Sequence, residues 1–267
     1  MARIGIAGCG GRMGRMLVAE AHATPGAEIV GGIDAEGSPA VGQDLGELAG
    51  LGRLGIVAGD DPARLFEAAD VVVDFTLPQA SAGHAELAAA RGKAMVIGTT
   101  GLDRGQTEAI ARAAARAPIV HAANMSVGVN LLLGLVEQVA RTLGPDDWDI
   151  EVLEMHHRHK IDAPSGTALA LGRAAAAGRG VELERVSQRV RDGHTGARRP
   201  GDIGFATLRG GDVPGDHVVV FAGTGERIEL GHKAGSRQIF ARGAIRAALW
   251  VAGQKPGLYG MKAVLGL

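Results

Sequence analysis

Ile4-Gly5-Ile6-Ala7-Gly8-Cys9-Gly10-Gly11-Arg12-Met13-Gly14, followed by a helical segment to residue 23, decides the fold of this chain. A short apolar run of strand length enters a cluster of glycines and leaves as a helix, the order of a dinucleotide-binding turn. The strict G-x-G-x-x-G spacing is not met, because its third glycine would fall on Met13; Gly8-x-x-Gly11-x-x-Gly14 fits better. The physical tasks are still covered. Gly8 can make the turn, Gly10 and Gly11 let backbone approach a pyrophosphate, and Gly14 lets the helix pack closely on the strand. In a chain with 43 glycines a bland tight turn is the competing reading. Asp34 counts against it: this residue ends the next apolar run, where a carboxylate can accept from adenine-ribose hydroxyls. Gly8, Cys9, Gly10, Gly11, Arg12, Met13 and Asp34 are therefore assigned to a nucleotide. NADH is the first choice because Asp34 disfavours a 2′-phosphate; Arg12, in the loop, leaves NADPH open.

Working outward, apolar runs at 4–7, 29–33, 71–75, 95–97 and 119–122 alternate with helical segments at 12–23, 80–91, 103–117 and 130–143. Such alternation predicts an α/β domain with a Rossmann-like, doubly wound parallel sheet. Ligands of these sheets sit at the carboxyl ends of the strands, which adds Phe75, Thr76, Gly98, Thr99, Thr100 and the stretch Ala122-Ala123-Asn124-Met125 to the candidate cofactor residues. Ordinary strand exits with capping hydroxyls are the alternative for these loops. Beyond about residue 143 strands follow one another at 149–155, 185–191, 203–209, 218–222 and 227–232, with one helix at 167–177. This predicts an α+β C-terminal domain with an open mixed sheet. Helix 238–251 is expected to return to the first domain. The expected division is 1–126 with 238–267, a dinucleotide-binding domain, and 127–237, a substrate-binding and oligomerisation domain.

Lysine plus arginine number 28 against 29 aspartate plus glutamate, so no overall field favours nucleic acid or an anionic membrane. One cysteine excludes an intramolecular disulfide framework and fits a reducing compartment. No apolar run reaches the ~18 residues of a membrane span. The expected location is cytoplasmic, with no nucleic-acid or membrane partner.

Charge is concentrated locally in Glu154-Met155-His156-His157-Arg158-His159-Lys160-Ile161-Asp162-Ala163-Pro164-Ser165-Gly166-Thr167. Several cations so close repel one another, and recognition of an anion is the simplest use for them, with histidines able to change protonation near neutral pH. A helix beginning at Gly166-Thr167 offers a second anion seat, to which the Thr167 hydroxyl can add. Zinc is a weaker reading, since adjacent histidines on a strand face opposite ways and no cysteine follows at ligand spacing. A solvated loop in which Ser165 or Thr167 only caps the helix, or a surface salt bridge from Lys160 to Asp162 or Glu154, also stays open.

The run from Glu154 to Ala168 resembles the signature E-x-H-H-x-x-K-x-D-A-P-S-G-T-A of the 4-hydroxy-tetrahydrodipicolinate reductase (dihydrodipicolinate reductase) family. Family-like segments also occur in order at 8–14, 74–76, 96–101, 122–124, 193–196, 203–206 and 232–234, so the resemblance spans essentially the whole chain. It implies NAD(P)H-dependent reduction of 4-hydroxy-tetrahydrodipicolinate to tetrahydrodipicolinate in the diaminopimelate pathway of lysine biosynthesis, carried out by a homotetramer. His156 is then the expected proton donor and acceptor. Lys160 is a second proton donor or the grip on a carboxylate, His157 a substrate contact, and Ser165, Gly166 and Thr167 the seat of the other carboxylate. No metal is implied. Family members with dual cofactor use often carry Glu-Arg where this chain has Asp34-Ala35, so the arginine that would meet a 2′-phosphate is missing. The competing readings are a related two-domain NAD-dependent dehydrogenase and a non-catalytic NAD-responsive regulator.

Overall fold

A computed structural model describes residues 1–267 and divides them into two units, Met1–Val127 with Gln238–Leu267, and Gly128–Arg237. The first unit opens with β1 (Ala2–Ala7), α1 (Arg12–Ala23), β2 (Ala27–Ile33), α2 (Leu45–Ala49), α3 (Pro62–Ala68), β3 (Val71–Asp74), α4 (Pro78–Arg91), β4 (Ala94–Ile97), α5 (Arg104–Ala114) and β5 (Pro118–His121). The second holds α6 (Val127–Thr142), β6 (Asp149–His156), α7 (Gly166–Gly178), α8 (Leu183–Val186), β7 (Ser187–Gln188), β8 (Ile203–Arg209), β9 (Asp216–Gly223) and β10 (Glu226–Lys233). The C-terminal elements α9 (Gln238–Val251), β11 (Gly257–Tyr259) and α10 (Met261–Leu265) complete the first unit.

In that unit six parallel strands lie in the order β11-β5-β4-β3-β1-β2, the doubly wound arrangement expected from the alternation. Every residue of β3 and β4 is buried, as a parallel sheet covered on both faces requires. Ile4, Ile6, Val71, Val73 and Val96 pack with Leu17 and Val18 of α1 and Ala244 and Ala248 of α9. The alternate residues Ala7, Val72, Met95, Ile97 and Ile119 pack on the opposite face with Phe66, Ala85, Ala88 and Ile110. β1 keeps Gly5 between its two isoleucines because a Cβ there would stand 2.8 Å from Leu65 of α3. The run expected to extend to Phe75 stops at Asp74, whose carboxylate turns back to accept from the Thr76 amide at 2.9 Å.

The second unit is a mixed sheet in the order β10-β9-β6-β8-β7, with β6 parallel to β8 and antiparallel to β9. One face is apolar: Ile150, Val152, Ile203, Phe205, Val219 and Phe221 pack on Leu171 and Ala175 of α7 and on Leu132 and Val136 of α6. The other face exposes Leu153 and Leu208, so it is open as expected. The strand expected at 185–191 is not there. Glu182 opens the short α8, only Ser187–Gln188 pairs with β8, and irregular chain follows. Its arginines explain the difference: Arg191 turns toward the sheet's exposed side and grips Glu151 with two bonds of 2.7 and 2.8 Å, which a continued edge strand would not permit. No helix in the molecule is long and apolar enough to cross a membrane.

Candidate active site

The glycine loop of the first unit is built from backbone. Gly8 turns with φ +77°, and the Gly8 and Cys9 amides both donate to Ile33 O at 2.8 and 3.0 Å, which ties the loop to β2. A Cβ on Gly14 would lie 2.0 Å from Gly8 O, so α1 sits on the loop at a distance only glycine allows. The absent side chain of Gly10 makes room for Asp34 and Ala40, since a Cβ would stand 2.5 Å from Asp34 Oδ2 and 2.4 Å from Ala40 Cβ. Gly11 is the open glycine; it precedes Arg12 and Met13 of α1, where no side chain caps the first amides. Cys9 is fully buried, and burial and the nearby Asp34 push its thiol up to about 11, so only its backbone belongs to the loop.

Asp34 accepts from the Gly10 amide through Oδ2 and from the Ala35 amide through Oδ1, each at 2.8 Å. Its carboxylate keeps lone pairs for further donors. A cavity of about 390 Å³ opens here, lined by Gly8, Gly11, Phe75 and Thr76 and by three carboxylates, Asp34, Glu36 and Asp60; no lysine or arginine lines it. The uncapped helix start, the glycine floor and the carboxylate wall fit a dinucleotide's pyrophosphate and ribose.

Phe75 lies flat against Gly98, where a Cβ would be 2.2 Å from the ring. Beneath them Asp74 is fully buried and accepts from Thr76 Oγ1 at 2.7 Å, Ser81 Oγ at 2.9 Å and His84 Nδ1 at 2.6 Å. Burial alone would raise its pKa, but the bonds from His84 and Thr76 outweigh that and hold it below the usual range. Thr99 belongs to this buried network through Ser81 at 2.7 Å, which leaves Thr100 as the exposed hydroxyl of the pair. Of the stretch leaving β5, Ala123 is exposed and Met125 is buried in the core beside α9. Asn124 Oδ1 accepts from the Ser126 amide at 2.8 Å.

In the second unit side chains build the site. His156 ends β6, and its Nδ1 lies 2.5 Å from Oε2 of Glu154, which shares its sheet face two residues earlier. Glu154 is buried, which would raise its pKa, but Arg209, His156 and the Ser165 amide together hold it below the ordinary carboxylate range. His157 points the other way, toward a cavity it lines with His159 and Arg237. Its pKa is depressed by partial burial and then by the charge of Arg237 and its histidine and lysine neighbours. Lys160 Nζ donates to Asp162 at 2.7 Å, the salt bridge that the sequence left open; Asp162 is exposed, so the pair faces solvent.

Ser165 is 2% exposed. Its amide donates to Glu154 at 3.0 Å, its Oγ caps the Ala168 amide at 3.1 Å, and the same Oγ lies 3.1 Å from His217 Nε2. It shapes the helix start from behind. Gly166 and Thr167 form the first turn of α7, whose amides have no carbonyl one turn earlier in the helix. A Cβ on Gly166 would meet open space, so approach to that turn is unobstructed.

Four residues of this region were not singled out from sequence as site residues: Glu154, Arg209, His217 and Arg237. The Glu154-x-His156 spacing was a usable signal, because it places both on one face of a strand. Arg209 and His217 were not readable, since β8 and β9 bring them to β6 through pairing.

A nucleotide-binding α/β unit, joined in one chain to an α+β unit that carries clustered histidine and lysine, defines a nicotinamide-dependent oxidoreductase. The family is more specific. Models described as dihydrodipicolinate reductase, N-terminus and C-terminus, match residues 2–125 and 128–265, and the chain belongs to the dihydrodipicolinate reductase family. It is 57% identical over 262 residues to 4-hydroxy-tetrahydrodipicolinate reductase 1 of Mesorhizobium japonicum, covering 98% of this chain and 96% of that one. The 4-hydroxy-tetrahydrodipicolinate reductase of Brucella abortus (strain 2308) is likewise 57% identical over 262 residues, 98% of each chain. The fold matches the solved dipicolinate-bound dihydrodipicolinate reductase from Paenisporosarcina sp. TG-14 with TM-score 0.76 over 97% of both chains, at 24% identity.

Proposed function

We propose that this protein reduces 4-hydroxy-tetrahydrodipicolinate to tetrahydrodipicolinate in the diaminopimelate route to lysine, with NADH preferred to NADPH. The observation that carries the reading is the segment 154–167. It combines a histidine bonded to a carboxylate, a lysine at the surface, and an unobstructed helix start, the groups needed to bind a small dicarboxylate and protonate it. The names of the 57% identical relatives support the substrate.

Loss of the 4-hydroxyl as water converts the substrate to a conjugated C=C–C=N system; reduction then adds a hydride to one end of that system and a proton to the other, and the nicotinamide, when bound, supplies the hydride. His156 delivers the proton, a contribution of about 10² to 10⁴-fold when the donor is well placed. Lys160 exchanges Asp162 for one substrate carboxylate and draws electron density from the conjugated system, which eases hydride addition. The Gly166 and Thr167 amides, with the Thr167 hydroxyl, hold the other carboxylate at the helix start. His157, its pKa depressed, contacts the substrate as a neutral ring. The loop from Gly8 to Met13, Asp34, Phe75-Thr76, Gly98 to Thr100 and Ala122 to Met125 hold the cofactor. Residues 1–126 with 238–267 are thus the dinucleotide-binding part and 127–237 the substrate-binding and oligomerisation part.

The preference for NADH rests on Asp34, Glu36 and Asp60, three carboxylates on a cavity without a lysine or arginine, since a 2′-phosphate brought among them meets only like charge. The exposed Leu153 and Leu208 support assembly of the open sheet face into a homotetramer. The reading places the enzyme in the cytoplasm, where the reduced cofactor is available. The test is a coupled assay in which dihydrodipicolinate synthase makes the substrate and loss of reduced nicotinamide absorbance is followed. Oxidation of NADH, at a kcat/KM at least about tenfold above that for NADPH, is expected. No oxidation of either cofactor would overturn the activity, and equal use of both would overturn the preference alone.

A further inference from the structure

Glu154 makes more connections than a partner for one histidine needs. Its Oε2 lies 2.5 Å from His156 Nδ1 and accepts from Arg209 Nη1 at 2.9 Å, while Oε1 accepts from Arg209 Nη2 at 3.0 Å and from the Ser165 amide at 3.0 Å. Arg209 Nη2 reaches on to the carbonyl of Asp162 at 2.7 Å. One carboxylate and one guanidinium therefore join the end of β6, the end of β8, the residue that caps α7, and the turn that carries Lys160. The glutamate is 1% exposed, so these bonds are not diluted by water. Its carboxylate can only accept hydrogen bonds, so the Nδ1 position of His156 must carry a hydrogen, and Nε2 is left as the position that gains or loses the exchanging proton.

We infer that Glu154 and Arg209 are positioning residues for the reduction: they fix which ring nitrogen of His156 exchanges its proton, and they hold the histidine, the Lys160 turn and the α7 helix start in one register. The inference rests on the reaction proposed above. His217 closes the arrangement from β9, packed in a T shape with His156 at a ring-centroid distance of 5.1 Å and bonded to Ser165. Gly215 leaves the remaining approach clear, because a Cβ there would stand 2.9 Å from His156 Nε2. Glu154 and His156 continue the face of β6 that Ile150 and Val152 give to the apolar core.

The decisive variant is Glu154→Gln, of the same size, which can donate to Nδ1 and so invites the opposite tautomer. Nitrogen-15 NMR of the imidazoles, with the His156 signal assigned by its loss in His156→Asn, is expected to show the hydrogen moving from Nδ1 to Nε2. In the same variant kcat should fall by about 10²-fold or more, the scale of a misoriented proton donor, with NADH affinity by fluorescence titration changed less than about threefold. A folded Glu154→Gln protein with wild-type kcat, or one whose kcat falls with the tautomer unchanged, overturns the inference. Should Glu154→Gln not fold, Arg209→Lys carries the test: it keeps the charge but loses the paired bonds, so kcat is expected to fall about tenfold at unchanged NADH affinity, and wild-type kcat overturns the inference. The NMR result needs no turnover. A wild-type protein that fails to reduce the substrate therefore overturns the activity without deciding the tautomer, and the two failures can be told apart.

Discussion

In the proposed function the glycine loop of the first unit and the cationic segment of the second solve the same problem, holding an anionic ligand, with different parts of the polypeptide. The loop uses backbone: amides at an uncapped helix start, a turn at Gly8, and one carboxylate, Asp34, held by two amide bonds. The segment uses side chains, and each is held by another side chain: Glu154 holds His156, Arg209 of β8 holds Glu154, and Asp162 holds Lys160. A backbone site tolerates the loss of most single side chains around it, because its donors belong to the chain itself. A side-chain site is only as well placed as its partners, and a missing partner leaves a buried charge behind.

Lys160→Ala should show the contrast most strongly. Turnover is expected to drop by about 10²-fold or more through loss of charge stabilisation, while NADH affinity by fluorescence titration stays within about threefold; equal losses in both would erase the division of labour. Gly215→Ala comes next. Its φ of +153° is unfavourable for a side chain and its Cβ would crowd His156 Nε2, so kcat should fall about tenfold with little change in cofactor affinity. Retained kcat would show that proton transfer does not use Nε2. Asp34→Ala sharpens the other side of the comparison: NADH should bind roughly tenfold more weakly, for loss of charge-assisted bonds to ribose, with kcat at saturating NADH nearly kept. A fall in saturated kcat instead would mean that Asp34 acts beyond binding.

The smallest effect concerns stability. His217 is 3% exposed, and burial first, then the charge of His156, lowers its pKa to about 4 from 6.5. The folded protein therefore resists a proton that the unfolded chain accepts. This contribution to stability is complete above pH 6.5 and is lost as pH falls from there to about 4, by up to about 3 kcal/mol. His217→Gln should flatten urea-unfolding stability across that window, and an unchanged pH slope would remove His217 as its source.

Much of the first unit was legible because a parallel sheet covered on both faces writes itself as short runs of valine and isoleucine, and because α1 and α9 carry their apolar residues at helical spacing. The 185–191 segment misled for the opposite reason: Val186 and Val190 would share one face of an extended chain, while Arg191 has its partner, Glu151, on a strand far away in the sequence. Within the sites, Gly8, Gly14, His156 and Lys160 could be picked out by residue type and spacing. Gly10 could not be separated from Gly11, since the crowding around Gly10 depends on where Asp34 and Ala40 come to rest.

By itself the sequence determined the class of chain, the glycine turn, the cationic segment and the family, because each is carried by residues close together along the backbone, where local geometry leaves few alternatives. Only the tertiary structure decided that Ser165 lies behind the helix start, that Thr99 is spent in a buried network, and that Glu154 is shared between β6, β8 and α7. The physical reason is strand pairing. His156 meets Arg209 across β6 and β8 and lies near His217 of β9 only through registers set by whole strands, and no local pattern records which residue of one strand will stand opposite which residue of another.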